Sequence, residues 1–381
     1  MKADFLIIGG GIAGASAAYE LARHGSVILA ERETTPGYHT TGRSAAMFLE
    51  NYGAPTVLGL AGASRDFLVT PPQGFTETAI LSPRAVLYIA RADQIANLEA
   101  MLDHTRNAAA PLSRIGGDHA RELIPALRPD YVADALIEKD SHEIDVHALH
   151  HGFLRGTKAR GGKLVTDAEI TTLDRRGGVW RATTPAGEMT APVVINAAGA
   201  WADEIAHLAG IAPVGLVPKR RTAVTFDPPE GVDTSAWPMA IDIDEQFYFK
   251  PEAGRVLASP ADETPMAPCD VQPEEIDIAI AIDRILKCAD FDVRRISHRW
   301  AGLRSFVADQ VPVVGYAPEG EGFFWLAGQG GVGIMTSPAT ARTAAALALG
   351  DDIPADIAAH GVAAADLAPD RPGIAAPDIT G

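Results

Sequence analysis

A run of four apolar residues, Phe5-Leu6-Ile7-Ile8, leads directly into Gly9-Gly10-Gly11-Ile12-Ala13-Gly14. An all-apolar run this short reads as a parallel strand buried on both faces. Small residues at Ala15, Ala17 and Ala18 then predict a helix over Ala15–Arg23 that packs closely on a sheet, with Gly25 ending it as a left-handed C-terminal glycine. Val27-Ile28-Leu29-Ala30 is a second buried strand, and Glu31 stands at its end, 22 positions after Gly9. A G-x-G-x-x-G pattern alone is weak. Between a strand and a helix, with an acid about 20 residues on, it is a dinucleotide-binding fingerprint. Gly9 permits the tight turn, Gly11 lets the backbone approach a pyrophosphate, and Gly14 lets helix and strand meet. Ile12 and Ala13 lie in the same turn, and the free N–H groups and positive dipole end of the helix that follows face the phosphates. Glu31 is the acceptor for the ribose hydroxyls.

Composition narrows the classes. The 381 residues, 47% of them hydrophobic, are enough for two domains or one large one with a deep core. With 32 Lys+Arg against 49 Asp+Glu the formal charge is −17, which argues against nucleic acid or an anionic membrane as partner. Two cysteines, Cys269 and Cys288, form no disulfide framework and fit a reducing compartment. The apolar stretch Phe5–Tyr19 imitates a signal-peptide core, but Asp4 and the spaced glycines oppose that reading. The Ala-rich stretch Ala339–Leu349 carries Arg342 and falls short of the ~20 residues a membrane span needs. A soluble, cytoplasmic protein is expected.

Further along, Ile80–Arg91 and Gln246–Ser259 read as antiparallel strands. Asp145 caps a helix to about Arg160, and Gly161-Gly162 stop it. Val193–Asn196 and Phe323–Ala327 are buried strands. The second of these enters a glycine-rich turn, Gly328-Gln329-Gly330-Gly331-Val332-Gly333, that opens a helix to about Leu349. The tail from Asp351 is expected to wrap the surface or hang loose. The late turn is either a plain structural cap or a second helix N-terminus aimed at the same ligand. A flavin suits the latter, because its reduced ring carries negative charge that a helix N-terminus stabilises.

Six ordered blocks carry a broader likeness: Phe5–Glu33, Gly37–Ala46, Asn196–Trp201, Lys219–Arg221, Trp300–Phe306 and the 328–333 loop. Together they resemble the FAD-dependent D-amino-acid oxidase/dehydrogenase superfamily, nearest to its bacterial D-arginine dehydrogenase-like branch. The resemblance implies an α/β fold: a Rossmann-like FAD-binding domain interrupted by a substrate domain with a mostly antiparallel β-sheet. The implied division is 1–78, 145–213 and 298–381 for the non-covalently bound FAD, and 79–144 with 214–297 for the substrate. Besides the fingerprint and Glu31, the FAD contacts it implies are Arg32, Thr41, Arg43, Ser44, Ala45, Ala46, Ile170, Ala198, Gly199, Trp201, Gly302, Gly330, Gly331, Val332, Gly333 and Ile334.

By the same resemblance, Arg221 and Arg304 pair with a substrate carboxylate, helped by Tyr52 and Tyr248. A guanidinium grips a carboxylate bidentately and so fixes the neighbouring carbon. The residues read by themselves leave a solvated charge run (Lys219 to Arg221) and ordinary tyrosines equally open. Two positions depart from the D-arginine branch: Val86 stands where it has a glutamate for the basic side chain, and Met47 where it has a histidine. With Met239, Ile241, Met335 and Gly331 also at the pocket, the implied substrate is a D-amino acid with an apolar or modestly polar side chain. Its Cα hydride passes to the flavin, and the imino acid hydrolyses to a 2-oxo acid and ammonia. Val86 and Met47 as mere packing residues remain the alternative. So do a secondary amine or 2-hydroxy acid as substrate, an NAD enzyme, and a flavin-carrying subunit of a larger complex. The electron acceptor is open, a quinone or another carrier that could bring the protein to a membrane. No metal is expected: His147 and His151 share a helix face without the H-E-x-x-H arrangement.

Overall fold

The computed structural model describes residues 1–106 and 110–374. Phe5–Ile8 and Val27–Ala30 are wholly buried and run parallel, Phe5 beside Val27 and Ile8 beside Ala30. They lie in a six-stranded sheet ordered Val313–Tyr316, Phe323–Ala327, Val193–Asn196, Phe5–Ile8, Val27–Ala30 and Lys163–Val165. All its ladders are parallel except that of Val313–Tyr316 with Phe323–Ala327. Because strand side chains alternate, Phe5 and Ile7 enter one core cluster and Leu6 and Ile8 another. The first cluster is completed by the helices Ile12–Leu21 and Gly333–Leu349. The second is completed by the helix Ala202–Leu208 and an antiparallel meander, Thr172–Arg176, Val179–Thr184 and Gly187–Ala191.

A nine-stranded sheet forms the other half. Its ladders are antiparallel apart from Met239–Asp242 beside Val86–Ala90. Leu87, Ile89, Ala240 and Phe249 face the helices Gly116–Leu123 and Glu275–Cys288, while Val86, Tyr88, Met239, Ile241 and Tyr248 face the other way, into a cluster with Leu49, Leu98 and Leu136. Residues 298–306, assigned by sequence to the cofactor unit, lie in the strand Ile296–Phe306. That strand pairs with Val217–Phe226 over its whole length and so belongs to the nine-stranded sheet.

Several local expectations meet their geometry here. Asp145 caps the helix Val146–Ala159, accepting the Ala148 N–H at 2.8 Å. The first helix spans Ile12–Leu21 rather than Ala15–Arg23, because the extended Gly11 is itself its N-cap. Gly25 is not a left-handed cap. It has an ordinary φ, and a Cβ there would sit 3.0 Å from Asp4 Oδ2, so close approach to the first strand is what calls for glycine. The left-handed closure appears at Gly350 instead (φ +82°). The described part of the tail, 351–374, is packed and not loose, with Ile357, Val362 and Leu367 buried and Arg371 paired with Asp309 at 2.7 Å, while 375–381 lie outside the described residues. No helix among the described residues is long and apolar enough to cross a membrane.

The tightest crossing is between the fingerprint helix and its strand, where a Cβ on Gly14 would lie 1.9 Å from the Gly9 carbonyl oxygen. Gly14→Ala is expected to cost about 1–3 kcal/mol or more, since backbone has no rotamer with which to relax. A denaturant midpoint unchanged from wild type would refute it.

Candidate active site

The cradle begins at Gly9, whose φ of +105° and 2.4 Å approach of a would-be Cβ to Ala197 O leave room for no side chain. Gly11 starts the helix in an extended conformation and has no side chain of its own with which to cap the first turn. Thr41 Oγ1 accepts the Ile12 N–H at 2.9 Å. Glu31 is buried at the end of its strand, and its two oxygens accept the Gly10 and Glu33 N–H groups at 2.7 and 2.9 Å. A carboxylate offers about four lone-pair sites, so acceptor capacity remains on the cavity side. Behind the loop, His150 Nε2 donates to Gly10 O at 2.8 Å. Burial pushes the His150 pKa down to about 4, which keeps the ring neutral and able to hold that bond. Nothing local in the sequence flagged His150, because the contact joins residues 140 positions apart.

The cavity that opens from this cradle measures about 1040 Å³. That is the upper end of the ~300–1,000 Å³ of small-molecule sites, large enough for a dinucleotide. Gly9, Gly11, Ile12, Ala13, Glu31, Arg32, Thr41, Arg43, Ser44, Ala45, Ile170, Ala198, Gly199, Trp201 and Gly302 all line it, as do Gly330, Gly331, Gly333 and Ile334. Arg32 lies over the Trp201 ring at 4.8 Å. Arg43 reaches the cavity, but its guanidinium donates to Val271 O and Ala301 O at 3.0 Å each and pairs with Asp270, so it braces loops. Three expected contacts do not line the cavity. Gly14 is beneath the loop, Val332 turns into an apolar cluster with Ile12 and Met335, and Ala46 borders a second, smaller cavity.

The late glycine turn closes the opposite end. Gly328 and Gly330 have φ of +67° and +49°, and a Cβ on Gly330 would strike the Phe306 ring at 2.4 Å. Gly330 N–H donates to Ser305 O at 2.9 Å, which ties the turn to the long strand. Val332 begins the 17-residue helix Gly333–Leu349 without a side-chain cap. A second positive helix end thus faces the same cavity.

Arg221, Tyr248 and Arg304 line this end. In the strand Val217–Phe226, successive side chains alternate. Arg220 is buried away with Asp277 at 2.8 Å and Glu274, whereas Arg221 turns to the cavity and engages Glu263 at 3.0 Å and Asp262 O at 2.9 Å. Arg304 has no hydrogen-bond or ion-pair partner among the described residues, although Arg32, Arg43 and Arg221 in the same cavity are all paired. Gly331 backs it: a Cβ there would lie 3.0 Å from Arg304 Nη1. Tyr52 does not line the open cavity but sits close by. Burial pushes its pKa up, and the Arg304 and Arg221 charges pull against that shift. Tyr52, Met47, Val86, Met239, Ile241 and Tyr248 pack in one apolar cluster with Leu49, Tyr88 and Trp300. Met335 belongs to a neighbouring cluster that Tyr52 also touches. Of these residues Tyr248 opens into the cavity, and Met47, Tyr52, Val86, Met239, Ile241 and Met335 do not line it.

His147 and His151 stack at 4.0 Å between ring centroids, and no metal-binding cluster occurs among the described residues. Both cysteines are free, and burial pushes the Cys288 thiol up.

Residues 4–347 match the FAD dependent oxidoreductase (DAO) family. Glycine oxidase of Bacillus licheniformis is 25% identical over 366 residues, 92% of this chain and 94% of that protein. Mitochondrial dimethylglycine dehydrogenase of Rattus norvegicus is 26% identical over 270 residues, 68% of this chain but 31% of the longer relative. The solved structure of glycine oxidase from Geobacillus kaustophilus superposes with a TM-score of 0.82 at 22% identity, covering 92% of this chain and 95% of that one.

His150 gives the cradle a pH dependence. Its folded pKa of about 4 lies below the ordinary 6.5, so between those values the unfolded chain binds a proton that the folded one refuses. Its contribution is complete above pH ~6.5 and is lost as pH falls toward 4, by about 2 kcal/mol at pH 5. Denaturant titrations at pH 7 and 5 are expected to show a larger loss in wild type than in His150→Gln, and equal losses would refute it.

Proposed function

The chain belongs to the DAO family of FAD-dependent oxidoreductases, and from that we propose that it oxidatively deaminates a D-amino acid with an apolar or modestly polar side chain. The observation that carries this reading is the unpaired Arg304 guanidinium beside an apolar wall. Bound FAD supplies the two-electron acceptor for the hydride on the carbon that bears the amine. The cradle fits that cofactor, with two helix N-termini facing one cavity, glycines where any Cβ would collide, and a buried acid at the ribose position. FAD-dependent oxidation of amines and amino acids also agrees with the names of the relatives, glycine oxidase and dimethylglycine dehydrogenase.

In this reading Arg304 grips the substrate carboxylate, and the one guanidinium nitrogen of Arg221 that Glu263 and Asp262 leave free adds a further bond. The Tyr52 and Tyr248 hydroxyls have no partner among the described residues. Tyr52 stays protonated because burial raises its pKa, so it donates to the carboxylate. Val86, Met239 and Ile241 exclude water from the side chain and give a cation nothing to pair with, and an unpaired buried charge costs several kcal/mol. After hydride loss the imino acid takes up water, giving a 2-oxo acid and ammonia. The D series rests on the sequence resemblance, as does dehydrogenase rather than oxidase action with a quinone or other carrier as acceptor.

A second reading has its own support. Met239, Ile241 and Val86 are nearly inaccessible and lie outside the open cavity, which leaves limited room for a side chain and suits a small N-alkyl glycine. Anaerobic bleaching with a panel separates the two. D-leucine, D-methionine or D-phenylalanine is expected to reduce the protein faster than D-arginine. The reverse order would sink the apolar pocket, and fastest bleaching by sarcosine would transfer the assignment to secondary amines. Return of colour within seconds of admitting air would exclude a strict dehydrogenase.

Arg304→Leu removes two charge-assisted bonds worth about 1.5–3 kcal/mol each, so kcat/KM is expected to fall roughly 10²–10⁴-fold with FAD content intact. An unchanged kcat/KM would take Arg304 out of the site.

A further inference from the structure

Glu138 lies directly opposite Val86 in the ladder between the strands Asp134–Glu138 and Val86–Ala90, so both side chains leave the sheet on the face of the apolar cluster. It is a carboxyl at 2% exposure with no ion-pair partner among the described residues. A buried acid without a cation lowers stability unless donors surround it. Two donors reach it. Tyr88, its diagonal neighbour across the strands, donates its hydroxyl to Oε2 at 3.2 Å, and the backbone N–H of Glu50 donates to Oε1 at 3.1 Å. Burial accordingly raises the Glu138 pKa, against the pull of those bonds.

Glu50 stands two residues before Tyr52, in the segment joining the strand Met47–Phe48 to the helix Pro55–Val69. Its own carboxylate pairs with Arg65 of that helix, and Asn51 donates to Ala110 O at 2.7 Å. Glu138 is therefore the point at which the sheet takes hold of this segment's backbone. We propose that Glu138 and Tyr88 form a positioning pair, which fixes residues 49–52 and so aims the Tyr52 hydroxyl at the carboxylate held by Arg304. The proposal rests on the reading of Tyr52 and Arg304 given under Proposed function. The acid opposite Val86 sits within the apolar cluster because each of its oxygens accepts a donor from the protein.

The test is a double-mutant cycle between Glu138→Gln and Tyr52→Phe. The amide offers one acceptor oxygen where the site needs two. Glu138→Gln is expected to raise KM, and the Kd for a non-reacting carboxylate such as acetate read from the flavin spectrum, by roughly tenfold. FAD content and kcat should stay within twofold. In the Tyr52→Phe background the same substitution should change Kd less than twofold, because the hydroxyl it aims is gone. Losses that multiply, or an unchanged Kd in the single variant, would overturn the proposal. Should Glu138→Gln not fold, Tyr88→Phe runs the same cycle, with a roughly threefold effect that must again vanish beside Tyr52→Phe. Acetate binding needs no turnover, so a protein that no amino acid bleaches would refute the proposed reaction and leave this cycle decisive for the pair.

Discussion

The close crossing of backbone at the fingerprint sets the rest of the molecule. Gly14 rides on the carbonyl of Gly9, and Gly9 on the carbonyl of Ala197, so a helix and two strands meet with no side chain between them. Helix Ile12–Leu21 can then deliver its N-terminus to the edge of the sheet. Beside it Glu31 pins Gly10 and Glu33, Thr41 pins Ile12, and His150 holds the Gly10 carbonyl from behind. Each contact satisfies a backbone group that would otherwise be orphaned in a buried loop. The loop is thus rigid before any ligand arrives, so binding costs little ordering entropy.

The opposite end of the cavity is built on a different economy. In a chain with an excess of acids, cations normally find partners, and Arg32, Arg43, Arg220 and Arg221 have done so. Arg304 has not, because the strand that carries it projects it beside Gly331, where the turn has no side chain to offer. The free guanidinium and the adjacent helix N-terminus add their fields in the same place. Together they make this end of the cavity attractive to an anion while its outer wall stays apolar.

Much of this was legible in the sequence, and for identifiable reasons. The fingerprint, the Asp145 cap and the strand–turn–helix at 323–349 are local patterns, in which neighbours along the chain set backbone geometry. Gly25 was misread because a glycine after a helix has two possible uses, a left-handed cap or a close approach, and only the packing of Asp4 and Phe5 against it decides. Arg221 was told from Arg220 by the family resemblance alone, and the physical reason, a strand that faces the cavity with every second residue, needs the structure. His150, Tyr88 and Glu138 carried no signal, since each acts through a partner far away in sequence.

The last of these has a bearing on how substrate classes diverge on one sheet. A carboxylate at position 86 would stand free on the cluster face, and a basic side chain could claim it. On the facing strand, Glu138 sits under Tyr88 and against the Glu50 amide, each of which donates to one of its oxygens. The charge balance of the sheet face hardly differs between the two arrangements, yet the group available to a ligand does. In this chain Val86 offers no acceptor, and the Glu138 oxygens accept the Tyr88 hydroxyl and the Glu50 N–H of the segment that leads to Tyr52.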